Sequence, residues 1–264
     1  MTAAGYGAEE QASRRARKVA RLREEVARGG AVDAEVLRRA QQQQRNWSVG
    51  AEGERLVAAS LAYLERYGWT TLHDVRWPGR KQANIDHIAI GPGGIVVIDA
   101  KNWSGHVAVT DGALRQNGYS RASSADGAAR AAADVAAILG PEHRTAVRAV
   151  LCLAAQDQAP TPVQGVDVLG RWQLPEHLLT LPQRLSVFDV ADVARHLHEE
   201  LVVAKVSAPR NARRRRQSAP RSSAPRSRRR GSALLPFLVT LAGGWLIIQI
   251  VLRTLEGVAA GVGG

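Results

Sequence analysis

Cysteine is nearly missing from this 264-residue chain: Cys152 stands alone, which excludes an internal disulfide framework and a cysteine-built zinc cluster. It lies in the apolar run Ala149-Val-Leu-Cys-Leu-Ala154, which reads as a buried strand, and one buried thiol fits a reducing compartment. Lysine is almost as scarce, since of 36 Lys plus Arg only Lys18, Lys81, Lys101 and Lys205 are lysines. A lysine inside an apolar strand of such a chain therefore calls for a reason of its own. An apolar leader is absent too: residues 1–47 are polar and charged, and no apolar stretch follows Arg14-Arg15, so no signal peptide or twin-arginine export is expected. Acids are absent from residues 205–230, which hold eleven of the net +12 charges. Everything else is close to neutral, so the affinity for phosphate-rich partners that a basic chain implies, nucleic acid or anionic lipid, belongs to a tail.

What is present falls into five stretches. Residues 1–46 mix Arg, Glu, Ala, Val and Leu at loosely helical spacing and predict one or two exposed helices broken at Gly29-Gly30, either a solvated charged face or a nucleic-acid-binding arm. Residues 47–200 carry the globular domain. There Leu56, Val57, Ser60, Leu61 and Leu64 form a helical stripe ended by Gly68. Strands are expected from Trp69 to Trp77, Ala83 to Ile90, Ile95 to Lys101, His106 to Val109 and Val147 to Leu153, with helices from Ala125 to Leu139 and Val190 to Val203. That order is α/β with a mixed sheet. Residues 201–232, rich in Arg, Ser and Pro, predict a disordered linker. Residues 233–252 are twenty in a row without a charge. As a helix they would cover ~30 Å, a bilayer's hydrocarbon core. A short tail, 253–264, follows. With the arginines on its amino-terminal side, a single-pass span would leave the large domain in the cytoplasm, at the cell membrane.

The Gly91-Pro-Gly-Gly94 loop predicts a hairpin, and whether Ile90 pairs with Ile95 or Gly91 with Gly94 the register is the same. It sets Asp86 opposite Asp99, with Cβ atoms ~4.5–5.5 Å apart, and puts Lys101 on the same strand face as Asp99. Two close carboxylates suit Mg2+, with Mn2+ as a substitute, and a nearby ammonium can orient an attacking water, which together suit phosphodiester hydrolysis. A structural Asp–Lys ion pair at a strand end accounts for the same residues.

Three segments, Gly50-Ala-Glu-Gly-Glu-Arg55, Asn84-Ile-Asp-His87 and Gly94-Ile-Val-Val-Ile-Asp-Ala-Lys-Asn-Trp-Ser-Gly105, together resemble the nuclease-related (NERD) domain, placed among PD-(D/E)xK nucleases. The resemblance implies a restriction-endonuclease-like mixed β-sheet flanked by helices and a metal-dependent nuclease acting on nucleic acid, DNA being the presumed substrate. Carried over by position, Asp86 resembles the family's first metal-binding Asp, Asp99 its second carboxylate, Lys101 its motif lysine and Glu54 the acid of its first helix. Asp86, Asp99 and Glu54 are thereby implied metal ligands. Glu54 also suits a helix's first turn on macrodipole grounds alone. Gly53 is placed to let that helix approach the sheet. His87 points away from Asp86 and reads as structural, while Trp103 reads as packing at the hairpin end or, less readily, as a base-stacking surface. The chain departs from the family at Asp99, where many relatives have Glu, and at Gly127, where relatives carry Gln. The alternative function is a catalytically silent module that binds nucleic acid or a protein partner at the membrane.

Overall fold

The structure, a computed structural model, describes residues 4–80 and 83–203. Helix α1 spans Tyr6–Ala27 and α2 spans Ala34–Ala62, and the break between them falls at Gly29-Gly30 as expected, Gly29 taking φ 79°. Asp33 caps α2, its carboxylate accepting the Glu35 N–H at 2.8 Å. One finding departs from the sequence reading: α2 is a single helix of 29 residues that runs unbroken through the compositional change at Val49. A 3-10 turn, Tyr63–Tyr67, tightens its end, and left-handed Gly68 stops it.

Strands β1 (Thr70–Arg76), β2 (Asn84–Gly91) and β3 (Gly94–Lys101) follow as an antiparallel meander. Next come β4 (Val107–Thr110), β5 (Ala113–Gln116) and β6 (Tyr119–Ser120), which form a separate three-stranded sheet. Helix α3 (Ala122–Ala137), a short α4 (Pro141–Arg144) and β7 (Val147–Leu153) lead to β8 (Thr161–Val163) and β9 (Val166–Gly170). Helices α5 (Leu174–Leu179) and α6 (Val187–His198) complete the described fold, α6 opening on a Ser186–Asp189 capping box and ending in a π turn, Glu199–Val203.

The main sheet is mixed, six strands in the order β1-β2-β3-β7-β9-β8, with β3, β7 and β9 mutually parallel. Strand β3 is apolar on both faces and alternates between two cores. Ile95 and Val97 join α3 and α6 residues such as Val135 and Leu197, while Val96 and Ile98 join Val57, Leu61 and Leu64 of α2 and its turn. Helices thus cover both faces, which is why the central strands read as continuous apolar runs. Cys152 is fully buried in β7, and burial pushes its thiol up to about 12, so it is chemically inert. The expected strands at β1–β4 and β7 and the helix at α3 are present. Strands β5, β6, β8 and β9 were not expected. Among the described residues no helix is long and apolar enough to cross a membrane. The expected span at 233–252, the tail after it, and the linker beyond residue 203 lie outside the described residues.

Candidate active site

Glycines set the geometry. Gly94 closes the β2–β3 hairpin at φ 122°, a conformation L side chains rarely adopt, and a Cβ there would meet the Ala146 carbonyl oxygen at 2.5 Å. The resulting ladder pairs Gly91 with Gly94, Ile90 with Ile95 and His87 with Ile98, the register expected from the sequence. Paired rungs stop there, one position short of Asp86 and Asp99. The Asp86 carboxylate instead accepts the Ala100 N–H at 2.8 Å through Oδ2. On β3 the Lys101 ammonium lies 2.6 Å from Asp99 Oδ2, a half-buried ion pair.

Gly53 brings the third expected acid in. A Cβ at this position would sit 2.6 Å from Asn102 Cβ and 3.5 Å from Ala154 Cβ, so only glycine lets α2 lie this close to the end of β3. Asn102 fastens the contact by donating to the Val49 carbonyl at 2.9 Å. Glu54, next along α2, therefore faces the sheet end. Glu54, Asp86 and Lys101 line one cavity of about 350 Å3 with Trp47, Asn102 and Trp103. The indole of Trp103 packs against the core and lies under the Arg121 guanidinium, 5.4 Å from the ring centroid, so packing and cleft lining coexist in it.

A fourth acid was not singled out from the sequence. Asp74 of β1 is 2% exposed and takes φ 49°, interrupting the β1–β2 ladder at the position opposite Asp86. Its Oδ1 accepts from Asn84 Nδ2 at 2.7 Å, and its Oδ2 accepts the Gly7 N–H of α1 at 3.0 Å. A Cβ at Gly7 would come within 2.7 Å of that carboxylate, so the first turn of α1 is seated directly on it. Ala8 borders both the Lys101 cavity and a second one, about 330 Å3, lined by Asp74, Asn84, Glu54 and Asp86. The start of α1 therefore lies across the cleft.

The electrostatics follow from crowding acids around one cation. Burial, then the nearby Asp86 and Asp74 charges, push Glu54 up to about 8. Burial and Asp99 raise Asp86 to about 7, although Lys101 and the Ala100 N–H pull the other way. Burial works against the Lys101 charge, but Asp99 and Asp86 outweigh it and the ammonium is held above its usual range. Among the described residues no three His, Cys, Asp or Glu side chains are gathered closely enough to hold a metal ion as they stand.

His87, structural in the sequence reading, is fully buried and pairs with His73, Nδ1 to Nδ1 at 2.9 Å, one ring donating and the other accepting. Burial pushes His87 down to about 3, so it stays neutral. Gly127 lies within α3 with open space where a side chain would project, and it does not line the Lys101 cavity.

One comparison with known proteins, that with family models, agrees with the motifs. No curated protein and no solved structure matches the chain. The family model described as nuclease-related domain matches residues 49–165, which leaves α1 and the first half of α2 outside it. The stretch that supplies Glu54, Asp86, Asp99 and Lys101 belongs to the nuclease-related domain family.

Proposed function

We propose that this cleft hydrolyses phosphodiester bonds in nucleic acid, DNA in the first instance, on a restriction-endonuclease-like core. The observation that carries the reading is the meeting of Glu54, Asp86 and the Asp99-bound Lys101 at the mouth of one open cavity, inside a nuclease-related domain. A hard divalent cation, Mg2+ or Mn2+, fits the donor set. Every carboxylate offered is an oxygen donor, and Glu54 and Asp86 are pushed toward neutrality by burial and mutual repulsion that a positive charge would relieve. Asp86, Asp99 and Glu54 would hold it, and bound there it would lower the pKa of a water and offset charge on phosphoryl oxygens. Lys101, anchored by Asp99, keeps an ammonium at the same place for the charge that develops in the transition state. Trp103 borders the cavity and offers an apolar wall to a base.

A second reading, a module that binds nucleic acid or a protein without cleaving it, is favoured by one observation: Lys101 already engages Asp99, and the acids do not converge into a three-ligand set. The uncharged run 233–252 and the basic stretch before it lead us to propose, on sequence grounds, that the domain works on the cytoplasmic side of a membrane.

The deciding experiment titrates Mg2+ and Mn2+ into the full chain by calorimetry and assays cleavage of single-stranded DNA, duplex DNA and RNA. Asp86→Asn is expected to abolish metal binding. Lys101→Ala is expected to bind metal and lose ~10²–10³ in rate, the scale of one preorganised electrostatic group. A wild-type chain that binds neither metal and cleaves none of the three substrates leaves the binding-module reading in place.

A further inference from the structure

Helix α1 carries Arg14, Arg17, Lys18 and Arg21, all exposed, at spacings of three and four residues that put them on one face. Each has another of the four as its neighbour on the next turn, with Glu10 one turn before Arg14 and Glu24 and Glu25 one turn after Arg21. Like charges so placed repel and weaken a helix. Elsewhere on α1 and α2 several cations are instead paired with acids: Glu24 with Arg28, Glu35 with Arg38 and Arg39, Glu52 with Arg55. Even Arg14, at the edge of the row, is matched by Glu10 at 2.6 Å. Among the described residues no carboxylate forms an ion pair with Arg17, Lys18 or Arg21. A row of mutually repelling cations costs the free protein stability, and a polyanion recovers it.

The position of the row identifies the polyanion. The same helix begins on the acid cluster, Gly7 donating to Asp74. At ~1.5 Å per residue the row starts ~10 Å and ends ~21 Å from that contact. Among the described residues the cleft gathers Glu54, Asp74, Asp86 and Asp99 around Lys101, so without a metal it offers a phosphate backbone little net attraction, and attraction must come from beside it. A membrane-surface helix would need a broad face of large apolar side chains flanking the charges, whereas Val19, between Lys18 and Arg21, is buried in the fold, and the large exposed apolar side chains of α1 are Tyr6 and Val26, near its two ends.

We propose that the outer face of α1 is a phosphate-binding track, with Arg17, Lys18 and Arg21 as its contacts, that holds a nucleic-acid backbone alongside the cleft. It lies outside the family-matched residues. The proposal rests on the nuclease reading only for the choice of nucleic acid as the polyanion.

The test measures binding without metal, so it stands apart from cleavage. Full-length wild type and the triple variant Arg17→Gln, Lys18→Gln, Arg21→Gln are titrated against a labelled DNA duplex in EDTA over a range of salt. Glutamine keeps helix propensity, and loss of the repulsion leaves the variant at least as heat-stable as wild type. The variant is expected to bind ~10-fold or more weakly at about 0.1 M salt, with a log–log salt slope shallower by about 2–3. In the wild type, DNA is expected to slow hydrogen exchange across residues 11–24. That readout decides the matter even if the variant folds poorly. Unchanged affinity and slope would assign all binding to residues 205–230 and overturn the proposal. So would exchange in α1 that slows with phosphatidylglycerol vesicles and not with DNA.

Discussion

At the scale of single residues, two acids of the site, Glu54 and Asp86, are held away from their ordinary protonation. Glu54 and Asp86 have folded-state values of about 8 and about 7 against about 4.5 and 3.8 unfolded. Between those limits the folded chain keeps protons that the unfolded chain has released, so metal-free stability falls as pH rises from about 4 to about 8. His87 acts in the opposite sense, because its neutral ring is favoured in the fold and stability is lost as pH falls from about 6.5 toward about 3. Glu54→Gln removes one ionisation, and the drop in Tm between about pH 6 and about pH 9 is expected to shrink against wild type. An unchanged drop would mean that Glu54 is not buried among charges. Three of the four acids were singled out from sequence, because the Gly91–Gly94 loop fixes a register that is paired as far as His87 and Ile98 and leads on to Asp86 and Asp99, and motif likeness adds Glu54. Asp74 was not. The β1–β2 connection leaves that pair's register open, and an Asp in left-handed backbone has no mark in the sequence.

At the scale of elements, small residues decide what can touch. Gly53→Ala puts a methyl group into the 2.6 Å gap to Asn102 and forces α2 off the end of β3. Overpacking of this kind costs about 1–3 kcal/mol. Because Glu54 rides on the same turn, metal affinity measured by calorimetry is expected to fall as well. A loss of stability with metal affinity intact would separate Glu54 from the ligand set. Three tight hairpins show how much more the sequence offered. Asp111-Gly112, Asn117-Gly118 and Gln164-Gly165 each take positive φ at both residues and join β4 to β5, β5 to β6 and β8 to β9. Asp-Gly and Asn-Gly are the strongest two-residue turn signals. Strands β5 and β6 beside them are four and two residues long and too polar to register as alternation. The continuity of α2 was hidden for another reason. Its outer half is packed by α1 and its inner half by the sheet, so one helix carries two compositions.

At the scale of the whole molecule, the proposed chemistry belongs to the described fold, while the proposed membrane attachment rests on the sequence beyond it. Full-length protein is expected to sediment with membranes and stay there through washing at high salt, and a chain ending at Lys205 to remain in the supernatant. Release of the full-length protein by salt alone would reduce residues 205–252 to an electrostatic tether. The seat of α1 on Asp74 has a further consequence, a thermodynamic one. The helix that offers cations to a backbone is bonded to an acid of the cleft and packed on the helix that bears Glu54. Linkage then ties the two proposed places together: by whatever factor a cation held in the cleft would tighten the grip on nucleic acid, nucleic acid would tighten the grip on the cation.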